Sequence, residues 1–180
     1  MTVRTRAAAL IEQRGSGTSA LSAGITALLV IVCLVAVERL LGLEVFALPF
    51  VASAALIALA PSAPAARPGA VLRAYPVAAV GAMLITAAVG ASEVAVTASA
   101  VWAVIAMAVL RAPHVPAALC AAGIGLTDPG FGYLAHTLVP AMAVVVAASV
   151  AAGPAARASL SRWVRHPWFA GRRRPATFTG

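Results

Sequence analysis

The chain of 180 residues contains no lysine, five acidic residues and two cysteines, and only 10% of it is charged. A soluble domain of this length carries about 25% charged residues, so the composition excludes an ordinary soluble fold. Cys33 and Cys120 each lie inside an apolar stretch, which leaves no disulfide framework and no metal-ligand spacing. Cys33 reads as a small lipid- or helix-facing filler. Aromatic residues are scarce, at 6%, and are not interleaved with the arginines on a polar face. The formal charge of +8 alone would suit nucleic acid as a partner, but the arginines flank apolar spans and fit a membrane-flanking role better. Paired intramembrane carboxylates, a Ser/His/Asp set at helical spacing and a phosphate loop are also missing. The expectation is a protein that is not an enzyme, with no catalytic residue, no metal and no cofactor.

What the chain has in abundance is apolar sequence: 62% of residues are hydrophobic and the mean hydropathy is +0.99. Apolar stretches recur at 19–38, 45–60, 74–91, 94–110, 114–126 and 131–152. They predict an all-α, polytopic membrane helix bundle of six segments with the lipid bilayer as its surroundings. Three regions follow: a basic segment 1–18, a transmembrane domain 19–153, and a basic tail 154–180. The first apolar run is too long for a cleavable signal peptide and lacks a small-residue cleavage site. The Ala- and Arg-rich, lysine-free composition looks like that of a high-GC bacterium, which suggests the inner (plasma) membrane.

Segments two and five are short. Pro61, Pro64 and Pro68 are expected to block helix after segment two, leaving Arg67 and Arg73 in a loop. Tyr75 and Pro76 would then open segment three. The thirteen residues of segment five cover about 20 Å, against a hydrocarbon core of about 30 Å. Asp128, Pro129 and Gly130 end it, with Asp128 reading as a terminator or cap.

If every stretch crosses once, twelve of the thirteen arginines share one side, and four of the five acidic residues take the other. Short-loop Lys/Arg bias sets orientation, so both termini are expected to be cytoplasmic. Making segments two and five re-entrant hairpins moves Arg67, Arg73 and Arg111 outside and Glu93 inside, against that bias. The two halves also repeat weakly as long span, short Pro-containing segment, span. Ala52-Ser53-Ala54 before Pro61 lines up with Leu119-Cys120-Ala121 before Pro129. Three crossings per half would make this an inverted repeat, and short Pro/Gly-interrupted segments at matching positions point to a transporter's binding site. Ala-rich sequence also aligns with itself by chance.

The stretch Leu110-Arg111-Ala112-Pro113-His114-Val115-Pro116-Ala117-Ala118 resembles the signature of the HPP family of integral membrane proteins. That signature is a His-Pro-Pro motif after a span and a basic residue. The loop Ala60-Pro61-Ser62-Ala63-Pro64-Ala65-Ala66-Arg67-Pro68 resembles the family's second landmark, a Pro-Glu-Ser-Pro-like loop, here preceded by Val51-Ala52-Ser53-Ala54. The order and spacing fit from roughly residue 19 to 153. This member is divergent: Val115 replaces the middle proline, Ser62 replaces the loop's acidic residue, and Tyr75 stands where a histidine often opens the third span. Plant and cyanobacterial members are implicated in nitrite transport, so the resemblance implies transport of a small anion.

The expected function is an integral membrane transporter or channel, passive or proton-coupled, for a small inorganic anion, with substrate contacts from His114, Pro116, Ser53, Cys120, Arg111 and Arg73. His114, near the start of the shortest segment, can meet an anion beside a helix N-terminus or shuttle a proton. It can equally be a structural histidine bonded to a carbonyl freed by the prolines. Ser53 and Cys120 can line a central site or simply permit close helix packing. Arg111 and Arg73 can draw anions to a cytoplasmic mouth, or Arg111 can snorkel as a topology anchor. His136 invites a functional reading but fits an interfacial or inter-helix hydrogen bond. Tyr75 reads first as an interfacial belt residue. So small a bundle is expected to work as a homo-oligomer, most simply a dimer. The competing class is a non-transporting membrane module, a subunit or scaffold packed against partner helices.

Overall fold

The computed structural model describes residues 20–43 and 47–153; the basic segments 1–18 and 154–180 and Glu44 lie outside them. The described residues form six helical segments and no strand: α1 (Ala20–Leu41), α2 (Leu48–Leu59), α3 (Pro68–Val89), α4 (Glu93–Val109), α5 (Val115–Thr127) and α6 (Leu134–Ala151). A 3₁₀ turn at Pro64–Ala66 links α2 to α3. Helices α1, α3 and α6 are long and apolar enough to cross a membrane, whereas α2, α4 and α5 are shorter. At 1.5 Å per residue, α2 and α5 reach about 18 and 20 Å.

Apolar character is distributed as a bilayer demands. Leu21, Leu28, Leu29, Val32, Ile105 and Val109 are exposed, while Ala70, Ala74, Ala78, Ala79 and Ala82 fill the centre. Large apolar side chains meet lipid, and small ones let helices approach closely. A Cβ on Gly125 of α5 would lie 2.7 Å from the Ala95 carbonyl oxygen of α4.

Helix ends follow local chemistry. Ser92 caps α4 by accepting the Ala95 N–H at 3.2 Å. Past the end of α4, Arg111 occupies the left-handed region (φ 49°), with Arg111 N–H donating to Ala108 and Ala112 N–H to Met107. That double bond pattern is a Schellman ending, for which glycine is the usual residue. Asp128 ends α5 in the same region (φ 43°), as a terminator should. Pro140 has no N–H, and its ring would crowd the carbonyl of His136 four residues back. The preceding turn, Leu134–Leu138, accordingly widens into π register.

Two sequence expectations need correction. Pro68 does not block helix; it starts α3, because a proline at the first helical position sacrifices no hydrogen bond. The third span thus begins six residues earlier than position 74, and Arg73 lies on the helix rather than in the loop. Tyr75, with Pro76 inside the helix beside it, is completely buried and not an interfacial residue.

The packing bears on the repeat. Helix α3 packs on α4, α5 and α6; α2 packs on α1, α5 and α6; α1 also meets α6, and α4 meets α5. Exchanging α1 with α4, α2 with α5 and α3 with α6 maps this set of neighbours onto itself. The short helices agree in detail, each with proline at its second position (Pro49, Pro116) and a small polar residue four further on (Ser53, Cys120). The halves differ in tightness. Gly125 brings α4 and α5 into close approach, whereas the equivalent side leaves an apolar groove of about 650 Å³, lined by Val30, Cys33, Ile57, Ala58, Val144 and Ala148.

Candidate functional site

Helix α2 packs against α5, as the repeat implies, and their meeting holds the polar core. Ser53 of α2, Tyr75 of α3 and His114 at the N-cap of α5 are all fully buried. Ser53 Oγ lies 2.8 Å from Tyr75 Oη and 3.0 Å from His114 Nε2. Both hydroxyls also reach the Pro49 carbonyl, Tyr75 at 2.9 Å and Ser53 at 3.1 Å. His114 Nδ1 lies 2.8 Å from the carbonyl oxygen of Ala65. The Tyr75 ring tilts against both Phe50 and His114, with centroids 5.2 and 5.1 Å away.

The Ala65 contact has a local cause. In the 3₁₀ turn the Pro64 carbonyl accepts from Arg67, and the next carbonyl, Ala65, faces Pro68, which has no N–H to give. His114 supplies the missing donor. The signature histidine, the proline loop and the Ser53 segment, far apart in sequence, therefore meet at one point.

The other expected site residues divide. Pro116 is buried in the first turn of α5, next to the cluster. Arg73 is exposed: Nε donates to the Gly69 carbonyl at 2.8 Å, and a terminal nitrogen to the Leu110 carbonyl at 3.1 Å. It thereby places a cation on the C-terminal end of α4, where the helix dipole favours one. Arg111 is exposed at the same end of the bundle, three residues before His114. Cys120 is buried but lies apart from Ser53's bonds; its Sγ is 3.5 Å from Tyr133 Oη.

Tyr133 leads to a second polar feature. With Gly42, Leu43, Pro129, His136 and Thr137 it lines a cavity of about 220 Å³ beside the π turn. His136 is exposed there, and so stands at the end of α5 opposite His114. The sequence reading missed Tyr133, and for Tyr75 it weighed position near a span end over what the hydroxyl needs. A usable signal was available: each short helix offers a small polar residue, and a tyrosine follows it in or just before the next span. Among the described residues no group of three or more His, Cys, Asp or Glu is placed to hold a metal ion.

Six apolar helical segments around buried small residues define a multi-pass integral membrane protein. Residues 12–159 match the family described as HPP, transmembrane region, and the chain belongs to that family. No curated protein and no solved structure matches the chain.

Proposed function

We propose that the protein moves a small inorganic anion across the membrane, with nitrite the candidate that family resemblance supplies. One observation carries this reading: a histidine at a helix N-cap is fully buried with a serine and a tyrosine, hydrogen-bonded to one another, inside a mainly apolar bundle. Intramembrane polar groups are costly, and in such proteins they mark solute and proton pathways. The first turn of α5 offers the positive end of a helix dipole beside the imidazole, and Arg73 and Arg111 add positive charge at that end of the bundle. The buried cluster is closed to solvent, so a solute reaches it only when the helices around it part. Near-symmetric halves, tight on one side and grooved on the other, suit such exchange. On this reading Cys120 and Tyr133 continue the route toward the cavity beside His136.

The protein is assigned to the inner membrane, with both termini cytoplasmic, as a homodimer; a fully active protein that is strictly monomeric in detergent would overturn the dimer. Purified protein in liposomes, assayed for nitrite, nitrate and formate flux with His114→Ala and Ser53→Ala as controls, tests the function. Flux equal to that of empty liposomes sinks it. A second reading, a non-transporting module, is favoured by one fact: the contacts of His114 tie α2, α3 and the proline loop to α5, as a purely structural histidine would.

A further inference from the structure

We infer that the cavity lined by Tyr133, His136 and Thr137, at the end of α5 opposite His114, is a second binding site, for a small anion that accepts hydrogen bonds. The identity of the ligand rests on the transport reading above. The site itself rests on two features of the second half of the bundle.

The first is a threonine that behaves unlike the others. Thr26, Thr86, Thr97 and Thr127 each donate to the carbonyl four residues back, at 2.8–2.9 Å. A hydroxyl inside an apolar helix ordinarily satisfies itself in this way. Thr137 is only 6% exposed, yet its hydroxyl has no such bond and no other partner among the described residues. It lies in the π turn, where the Val139 N–H reaches back five residues to the Leu134 carbonyl and the four-residue spacing is lost. A buried hydroxyl without a partner is costly, and this one belongs to the wall of the 220 Å³ cavity. His136, on the same wall, also has no hydrogen-bond partner among the described residues.

The second feature is the repeat. In the first half Ser53 of α2 meets Tyr75 of α3, and the imidazole of His114, the N-cap of α5, packs on both. In the second half Cys120 of α5 meets Tyr133, ahead of α6, at 3.5 Å. The residue matching His114 is Ala47, the N-cap of α2. Alanine has no ring to offer, and beside Tyr133 there is a cavity, with Gly42 and Leu43, which lead from α1 toward α2, on its wall. A hydrogen-bonding group that the protein supplies at one end is left to a ligand at the other.

The lining selects the class of ligand. Tyr133 and Thr137 bring O–H groups and His136 a ring N–H, all able to donate. If the Cys120 thiol donates to Tyr133, the phenol hydrogen is free for the cavity. Among the described residues the lining includes no carboxylate, so a cation finds no counter-charge there. Asp128 precedes Pro129 of the lining but is exposed. A water takes about 30 Å³, so a space of 220 Å³ admits an ion the size of nitrite with several waters.

The test uses the full-length protein in detergent, sodium nitrite as probe at constant ionic strength, and melting curves. Nitrite should raise the unfolding temperature, because a ligand of the folded state stabilises it by mass action. Thr137→Val keeps the shape and removes the hydroxyl. Since that hydroxyl has no protein partner, the variant without nitrite should melt no lower than wild type. It should nevertheless need about tenfold more nitrite for the same rise, the effect of one hydrogen bond to an ion. Thr137→Ser should restore most of the response, and Tyr133→Phe should weaken it as valine does. No rise in wild type, or an equal rise in Thr137→Val, overturns the inference. Flux in liposomes separates this outcome from the fate of the transport reading. Wild-type flux with a melting response indifferent to Thr137 removes the site and leaves transport standing. A response weakened by Thr137→Val, in protein whose flux equals that of empty liposomes, keeps the site and sinks transport.

Discussion

His114 and Ala65 are 49 residues apart, yet the imidazole Nδ1 reaches the Ala65 carbonyl at 2.8 Å because Pro68 leaves that carbonyl without a backbone donor. Removing the ring strands the carbonyl and leaves Ser53 without a partner on that side. Each unsatisfied buried group costs about 1–3 kcal/mol, so His114→Ala should lower the unfolding temperature of the detergent-solubilised protein markedly. His114→Gln, which retains a donor and an acceptor, should lose less. Equal thermal stability of His114→Ala and wild type would show that the contact contributes nothing.

Ser53 is the branch point, touching Tyr75, His114 and the Pro49 carbonyl. Alanine there removes the hydroxyl that all three share while preserving helix packing, since the residue is small. A buried polar group left without its partner costs about 1–3 kcal/mol, so Ser53→Ala should reduce nitrite flux about tenfold. Threonine keeps the hydroxyl and should restore part of it. A flux unchanged by Ser53→Ala removes the cluster from the pathway.

Much of this architecture is legible in the sequence, and for a physical reason. The hydrophobic length of a span and the breakage at proline are local properties, so six segments and two short ones can be read directly. Tyr75 shows where local reading stops. An unbroken apolar run, Val77 to Ile85, follows Pro76 on one side and Arg73 lies on the other, so its neighbours describe an interface. Its burial depends on a serine 22 residues earlier and a histidine 39 residues later, which no local pattern encodes. Pro68 illustrates the converse error. Proline both ends and begins helices, and only the chain around it decides which. His114 was identifiable as a candidate, but the carbonyl, serine and tyrosine that contact it come from three other elements.

Arg111 sits at φ 49°, a conformation that costs a side-chain-bearing residue about 1–2 kcal/mol and that glycine adopts freely. Arg111→Gly should therefore stabilise the protein by up to about 1 kcal/mol, after allowing for the greater freedom of glycine in the unfolded chain. If the arginine is retained to draw anions to the mouth, the same variant should transport less, and its rate should depend less on ionic strength, Arg73 remaining as the other cation there. Melting curves and flux at two salt concentrations separate the cases. Unchanged flux with raised stability assigns Arg111 to anchoring alone.

Cys120 and Cys33 provide a matched pair of probes, the first buried and the second exposed on the apolar groove. In a Cys33→Ala background, Cys120 should react slowly with a small water-soluble thiol reagent at rest. It should react several times faster while nitrite is being transported, because passage through the bundle requires the helices around it to part. Equal rates with and without nitrite would place Cys120 off the route and confine its contact with Tyr133 to packing.

Gly125 holds α4 against α5 at a distance no side chain tolerates: its Cβ would meet the Ala95 carbonyl at 2.7 Å. The obstacle is backbone, so it cannot rotate away, and overpacking of this kind costs about 1–3 kcal/mol. In a static module Gly125→Ala should only destabilise. In a transporter that alternates between tight and open arrangements of its two halves, the substitution acts unequally, because it penalises the state with α4 and α5 in contact and spares the state in which they separate. Transport from the two sides should then respond differently, with the half-saturating nitrite concentration moving in opposite senses when measured from inside and outside. Liposomes with a fixed protein orientation make that comparison. A uniform fall in flux from both sides, in step with lost stability, would assign Gly125 to packing alone.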